Sequence, residues 1–243
     1  IVARGLNAEL YENFTDVDAI YATDPRLVQD PYAVTKMTYR EMRELSYAGF
    51  SVFHDEAIVP AIEGRVKINV KNTNHPERPG TMIIPYQEFT PITPITGISS
   101  AKHFSALYLH KFLLNKETGF TLKILNILYK YGISYEHMPS GIDDLTIIFD
   151  NSQLTEAKRK AVSRDIRAVI QPDELRWIDD YALIMVVGEG MINRIGIMKD
   201  VILAISDHNI NIHMINQGSS EVSIMLGTKS ADADKAVKYI YEA

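Results

Sequence analysis

Gly119-Phe120-Thr121-Leu122-Lys123-Ile124-Leu125-Asn126-Ile127-Leu128-Tyr129-Lys130-Tyr131-Gly132-Ile133 returns at an offset of 77 residues as the run from Gly196 to Ile210. At that offset Phe120 faces Ile197, Ile124 faces Val201, Ile127 faces Ala204, Leu128 faces Ile205 and Ile133 faces Ile210. The match continues without a gap: Ser134 falls on Asn211, Gly141 on Gly218, Asp144 on Glu221, and Leu145–Phe149 on Val222–Leu226. Roughly thirty positions keep their polarity, which marks an internal duplication.

Each copy reads as a small α/β module. Ile124, Ile127, Leu128 and Tyr131 have the i, i+3, i+4, i+7 spacing of one apolar helical face. Gly132 and Asn209 then supply the left-handed residue that ends such a helix. Strands are predicted around 134–138 and 145–149 after the helix, and around 106–110 and 182–187 before it. Charged helices are predicted at 155–170 and 231–241, with a last strand near 175–178 in the first copy. The order is that of the split βαββαβ, ferredoxin-like unit. The second copy has no room for a fourth strand after its last helix. The strand-like segment 95–101, just before copy one, is expected to complete it, so that the first module is inserted in the second.

Upstream, Pro85, Pro91 and Pro94 fall within ten residues of the run from Ile83 to Ile98. Such a run neither continues a helix nor sits in a central strand. It predicts an N-terminal region over 1–86, a linker and completing strand over 87–101, a first module over 102–180 and a second over 181–243. The opening Ile1–Leu6 reads as the end of a helix whose front is missing, as in part of a longer chain.

Composition bounds the function. The 243 residues carry a net charge of −6 and no cysteine. There is no basic field for nucleic acid or an anionic membrane surface, no apolar run long enough to span a bilayer, and no disulfide or thiolate metal site. A cytoplasmic location is the expectation. The seven histidines show no metal-ligand spacing. Lys158-Arg159-Lys160 reads as the wet face of a helix, and the lone Trp177 as packing.

The N-terminal region holds Phe14-Thr15-Asp16-Val17-Asp18-Ala19-Ile20-Tyr21-Ala22-Thr23-Asp24-Pro25-Arg26. A strand there delivers Thr15 and Asp16 at its carboxyl end, where open α/β sheets bind ligands. Tyr21 offers a flat face for adenine, and Arg26 a forked cation for phosphate. The segment resembles the T-D-V-D-G-I-Y-x-x-D-P-R stretch of the amino-acid kinase superfamily, with Ala19 in place of the usual Gly. Lys36–Phe50, the Val52–Ala57 run, Ile68–Thr73 and Pro79-Gly80-Thr81 narrow the resemblance to aspartokinases, whose C-terminal portion carries tandem ACT domains. The resemblance implies an α/β fold with a partial amino-acid kinase αβα domain ahead of two ferredoxin-like ACT domains. It also implies ATP-dependent phosphorylation of L-aspartate to 4-phospho-L-aspartate, feedback-regulated by an amino acid. Alternatives are a non-catalytic amino-acid-binding regulatory subunit, against which the nucleotide motif argues, or another amino-acid kinase such as glutamate kinase.

The same resemblance assigns residues. Thr15, Asp16, Tyr21, Arg26 and Ser51 fall at nucleotide-binding positions, Ser51 standing where many of the family have a lysine. The family's K-x-G-G-T-S and R-G-G-S-D segments are not among these residues. Catalytic residues are therefore expected upstream of Ile1, and the fragment alone is expected to be inactive. MgATP is implied as a substrate, with no tightly bound cofactor and no metal site of the chain's own. Effector contacts are implied at Leu114, Glu117, Phe120, Thr121, Ser134, Tyr135, Glu136 and Asp143 of the first module, near a homodimer interface. The chemistry suits a free amino acid: a helix N-terminus for its α-carboxylate, and Glu117, Glu136 and Asp143 for an ammonium. Lysine is the expected effector, with threonine or methionine as alternatives. The second copy has Asn193, Asn211, His213 and Ser220 around its equivalent cleft and lacks those acids.

Overall fold

The computed structural model describes residues 1–50 and 55–243. Its strands are β1 (Leu10–Thr15), β2 (Ile20–Tyr21), β3 (Ala33–Val34), β4 (Lys36–Thr38), β5 (Lys67–Asn72), β6 (Thr81–Ile84), β7 (Gly97–His110), β8 (Asp144–Asp150), β9 (Glu174–Val187), β10 (Met214–Gln217) and β11 (Ser223–Lys229). Its helices are α1 (Val2–Gly5), α2 (Tyr39–Tyr47), α3 (Asp55–Gly64), α4 (Phe120–Lys130), α5 (Glu156–Val169), α6 (Ile197–Ser206) and α7 (Ser230–Glu242). Contacts divide the chain into two compact units, one of residues 1–101 with 183–243 and one of residues 102–182. The proline-rich run therefore falls inside a unit, and the divisions lie within β7 and β9.

The first unit holds a four-stranded sheet in the order β1-β5-β6-β4, with β1 parallel to β5, β4 parallel to β6, and β5 antiparallel to β6. β2 and β3 form an antiparallel pair, and a further sheet runs β10, β11, residues 183–187 of β9, then residues 97–101 of β7. The expected segment 95–101 is thus a strand from Gly97. Helices α6 and α7 bring Val201, Ile205, Val237 and Ile240 onto Ile184, Val186, Ile224 and Leu226 of this sheet. Ile98 belongs to the same core, and Leu27 of the nucleotide-like segment packs against it.

The second unit holds residues 102–110 of β7, β8, and residues 174–182 of β9 under α4 and α5. Leu145, Ile147 and Phe149, alternate residues of β8, meet Ile124, Ile127 and Leu128 of α4 and Val162 and Ile166 of α5. Burying each such side chain stabilises the module by about 1.5–3 kcal/mol. Trp177 does pack: its ring lies 5.6 Å from Phe149, Arg159 sits 4.9 Å above it, and its N–H donates to Ser163 Oγ at 3.0 Å.

The duplication survives in backbone detail. Helices α4 and α6 both follow a left-handed glycine, Gly119 (φ 74°) and Gly196 (φ 101°). Both are closed by a left-handed residue, Gly132 (φ 59°) and Asn209 (φ 57°). The amides of Gly132 and Ile133 donate to the carbonyls of Tyr129 and Leu128, and those of Asn209 and Ile210 to Ser206 and Ile205. This is the Schellman pattern in both copies.

One expected strand is corrected. Residues 134–138 run beside β8 through isolated bridges, His137 to Ile148, with Ser140 to Leu145 beyond. Ser134 gives both its backbone groups to the Gln153 side chain, at 2.8 Å each, and Pro139 has no N–H to donate.

Candidate functional site

Strands β1 and β5 end together, Thr15 opposite Asn72. The chain then turns sharply, the amide of Val17 donating to Thr15 Oγ1 at 3.2 Å. Asp18 accepts from Asn72 Nδ2 at 2.7 Å and pairs with Arg78. Thr15 and exposed Asp16 therefore stand at the carboxyl ends of two parallel strands, the usual ligand edge of such a sheet. Tyr21 follows on β2, half-buried. Arg26 is paired within the chain. Its guanidinium forks onto Asp24, with Nε at 3.0 Å from both carboxylate oxygens. Hydrogen bonding from Arg26 holds the Asp24 carboxyl below its ordinary value. The Arg26 side chain is 88% exposed, and an exposed pair is worth only about 0–1 kcal/mol, so a phosphate can compete for it. Ser51 lies outside the described residues.

In the second unit, the expected effector residues separate into groups. Leu114 is 1% exposed and belongs to the module's core, so its side chain is not a cleft group. Phe120 and Thr121 open α4, half-buried. Glu117 is held from two sides: Lys111 pairs with one oxygen and Lys123 Nζ lies 2.7 Å from the other. Those hydrogen bonds, Lys111 first, hold its carboxyl down at about 2. Lys111 also donates to the Ile170 carbonyl at 2.7 Å, tying the cluster to the end of α5. Asp143 Oδ1 accepts the Leu113 amide at 2.9 Å. This joins the loop before α4 to the loop before β8. Ser134 and Tyr135 are exposed and Glu136 half-buried beside β8. An ammonium arriving at Glu117 must displace a lysine, whereas Asp143 keeps one oxygen beyond its backbone bond.

The equivalent place in the second module has a cavity of about 410 Å³ lined by Arg194, Gly196, Ile197, Gln217, Gly218 and Glu221 among others. The amide of Asn193 donates to Glu221 Oε2 at 2.7 Å. An acid does stand at this cleft, then, one residue beyond Ser220.

Residues 1–72 match the family model of the amino acid kinase family, and residues 184–243 match that of the ACT domain. Aspartokinase 3 of Bacillus subtilis (strain 168) is 48% identical over 242 residues, taking in 100% of this chain and 53% of its own length. Along its whole length the chain is similar to aspartokinases. Among solved aspartokinases, the Clostridium acetobutylicum aspartate kinase is similar at a TM-score of 0.93 and 42% identity, covering 99% of this chain and 55% of that one. E. coli aspartokinase III in complex with aspartate and ADP is similar in fold, with a TM-score of 0.85 at 22% identity, over 99% of this chain and 53% of that one. The chain spans about half the length of these relatives. No helix among the described residues is long and apolar enough to cross a membrane.

One group of side chains escaped the sequence reading altogether. Glu41 and Glu189 are 0% and 3% exposed, and they meet. Thr38-x-x-Glu41 is legible as a helix capping box, and both of its bonds form at the start of α2. Nothing in the sequence pairs Glu41 with a residue in the turn after β9.

Proposed function

We propose that this chain is the nucleotide-side and regulatory part of an aspartokinase. The complete enzyme transfers the γ-phosphoryl group of ATP to the β-carboxylate of L-aspartate, giving 4-phospho-L-aspartate, and feedback by an amino acid governs the rate. The observation that carries this reading is identity at 48% to an aspartokinase along the whole of this chain. Residues 1–86 contribute the nucleotide edge, where Thr15, Asp16, Tyr21 and Arg26 accept MgATP. Residues 102–180 form the first ACT-type module, inserted within a second one made of residues 181–243 and completed by the strand from Gly97. The E. coli relative, solved in complex with aspartate and ADP, supports the substrate assignment.

The effector is a free amino acid, lysine in the first instance, held at the first module by the N-terminus of α4 together with Asp143, Glu136 and Tyr135. Two copies pair through these modules. Phe112, Leu113 and Ile142, 72%, 60% and 71% exposed on neighbouring loops, are the apolar contribution to that pairing.

Calorimetric titration of this chain with lysine, threonine and methionine tests the effector assignment. Lysine is expected to bind below millimolar, and the Glu117→Ala, Asp143→Ala pair to abolish that binding. Affinity unchanged in the double variant would move the site to the cavity beside Arg194 and Glu221. Absence of binding by all three amino acids would end the sensing assignment.

A further inference from the structure

We propose that Glu41 and Glu189 form a clasp by which the second module holds the Tyr21–Asp24 stretch of the nucleotide edge in position. Both are positioning residues, and the assignment of that stretch to nucleotide rests on the function proposed above.

The clasp is more than a helix cap. A capping glutamate needs one oxygen for the N-cap amide, and Glu41 Oε2 takes the Thr38 amide at 2.7 Å. Its other oxygen accepts the Thr96 hydroxyl at 2.6 Å and the Glu189 amide at 2.9 Å. Glu189 in turn accepts the Thr38 hydroxyl at 3.0 Å and Arg40 Nε at 3.1 Å, with the second guanidinium nitrogen on its other oxygen. Two buried carboxylates are costly unless every oxygen is occupied. Here each oxygen has a donor, so the arrangement tolerates little displacement.

The clasp reaches the nucleotide edge through three consecutive residues. Thr96 bonds Glu41 by its hydroxyl and the Val187 carbonyl by its amide, at 2.8 Å. Two residues on, the Ile98 amide donates to the Ala22 carbonyl at 2.7 Å. Between them, a Cβ on Gly97 would sit 2.8 Å from Leu45 Cδ1 and 3.3 Å from the Ala22 carbonyl oxygen. The other side is equally tight: a Cβ on Gly188 would lie 2.2 Å from the Pro94 carbonyl oxygen, and one on Gly190 would lie 2.3 Å from that of Thr93. Moving the turn after β9 therefore moves Thr96, and with it the backbone of Ala22. The second module bears on the nucleotide edge without touching nucleotide.

Hydrogen exchange on the chain, resolved by segment, tests this directly. Glu189→Gln is expected to speed exchange of residues 20–28 at least tenfold, together with 95–101, and to leave residues 102–182 unchanged. It is also expected to weaken MgADP binding about tenfold at temperatures well below the melting transition. Thr96→Val, which removes only a hydroxyl, serves if Glu189→Gln does not fold, and Thr96→Ser is expected to restore both protection and affinity. Faster exchange confined to residues 187–191, or MgADP affinity unchanged while residues 20–28 exchange freely, overturns the clasp. Should the unaltered chain bind no MgADP, the nucleotide assignment fails, and the exchange of residues 20–28 still decides the clasp.

Discussion

The backbone amide of Glu189 donates to the side chain of Glu41 at 2.9 Å across 148 residues of sequence. Two acids that ought to repel are brought together because one offers its peptide N–H and the other its carboxylate, while Arg40 neutralises the carboxylate of Glu189. The two partners of that ion pair differ in their access to water: the Glu189 side chain is 0% exposed and that of Arg40 is 45%.

That difference predicts an order of stabilities. Arg40→Gln leaves a fully buried carboxylate without its cation and is expected to cost about 3 kcal/mol, the low end for breaking a buried pair from one side. Glu189→Gln leaves a half-solvated guanidinium and is expected to cost less, about 1–2 kcal/mol, chiefly lost hydrogen bonds. Urea denaturation of both variants measures the order; Glu189→Gln proving the more damaging would refute the account.

The first module should weaken in acid because of Glu117. Its carboxyl is held at about 2 by Lys111 and Lys123, against roughly 4.3 in an unfolded chain. A depressed carboxylate contributes stability that is present above the unfolded value and lost as pH falls through the folded one. Trp177, the single tryptophan, lies in this unit and reports its melting by fluorescence. Melting temperature is expected to drop between pH 4.3 and 2 in the parent chain, with a shallower drop in Glu117→Gln.

Glu41 has the opposite sign. Burial pushes its carboxyl above the ordinary value, so the folded state takes up that proton more readily than the unfolded chain. Its contribution favours folding on the acid side of that range and is lost as pH rises through the raised value. Glu41→Gln is expected to flatten the stability–pH profile there, and a profile identical to the parent would count against burial as the cause.

The helix ends of the two copies allow a paired test. A Cβ at Gly132 would meet nothing within 4 Å, so Gly132→Ala isolates the left-handed backbone and is expected to cost about 1 kcal/mol. Asn209→Gly, at the matching residue with φ 57°, is expected to be neutral or slightly stabilising. Thermal melts of the two variants check both; equal destabilisation would mean that the copies end their helices by different means.

Gly188→Ala is expected to destabilise by a different route. Its φ of 177° suits any residue, so the cost is collision with the Pro94 carbonyl rather than strain. Overpacking against fixed backbone costs about 1–3 kcal/mol. Denaturant midpoints measure it, and a change below a few tenths would show that the 93–96 segment yields.

Sequence periodicity located α4 and its repeat α6 well because each has an apolar stripe and ends at a left-handed residue, Gly132 or Asn209. The sequence also predicts a strand over 134–138, joined to the next by a glycine-containing turn; there Gln153, 19 residues on, takes the backbone groups of Ser134 instead. At the candidate sites, Thr15 and Asp16 were legible because a strand end is a local feature. That the Leu114 side chain is buried was not legible, because the residues that cover it, such as Ile147 and Ile166, are distant in sequence.

What the sequence determined by itself is the duplicated module, its helix boundaries and the nucleotide-like strand end, all set by spacings of a few residues and by left-handed glycine or asparagine. The tertiary structure decided which charges meet: Arg26 folding onto Asp24, Glu117 held between Lys111 and Lys123, and Glu41 beneath Glu189. Side-chain partners are chosen by distance and burial after the chain has folded, and neither quantity is written into the order of residues along it.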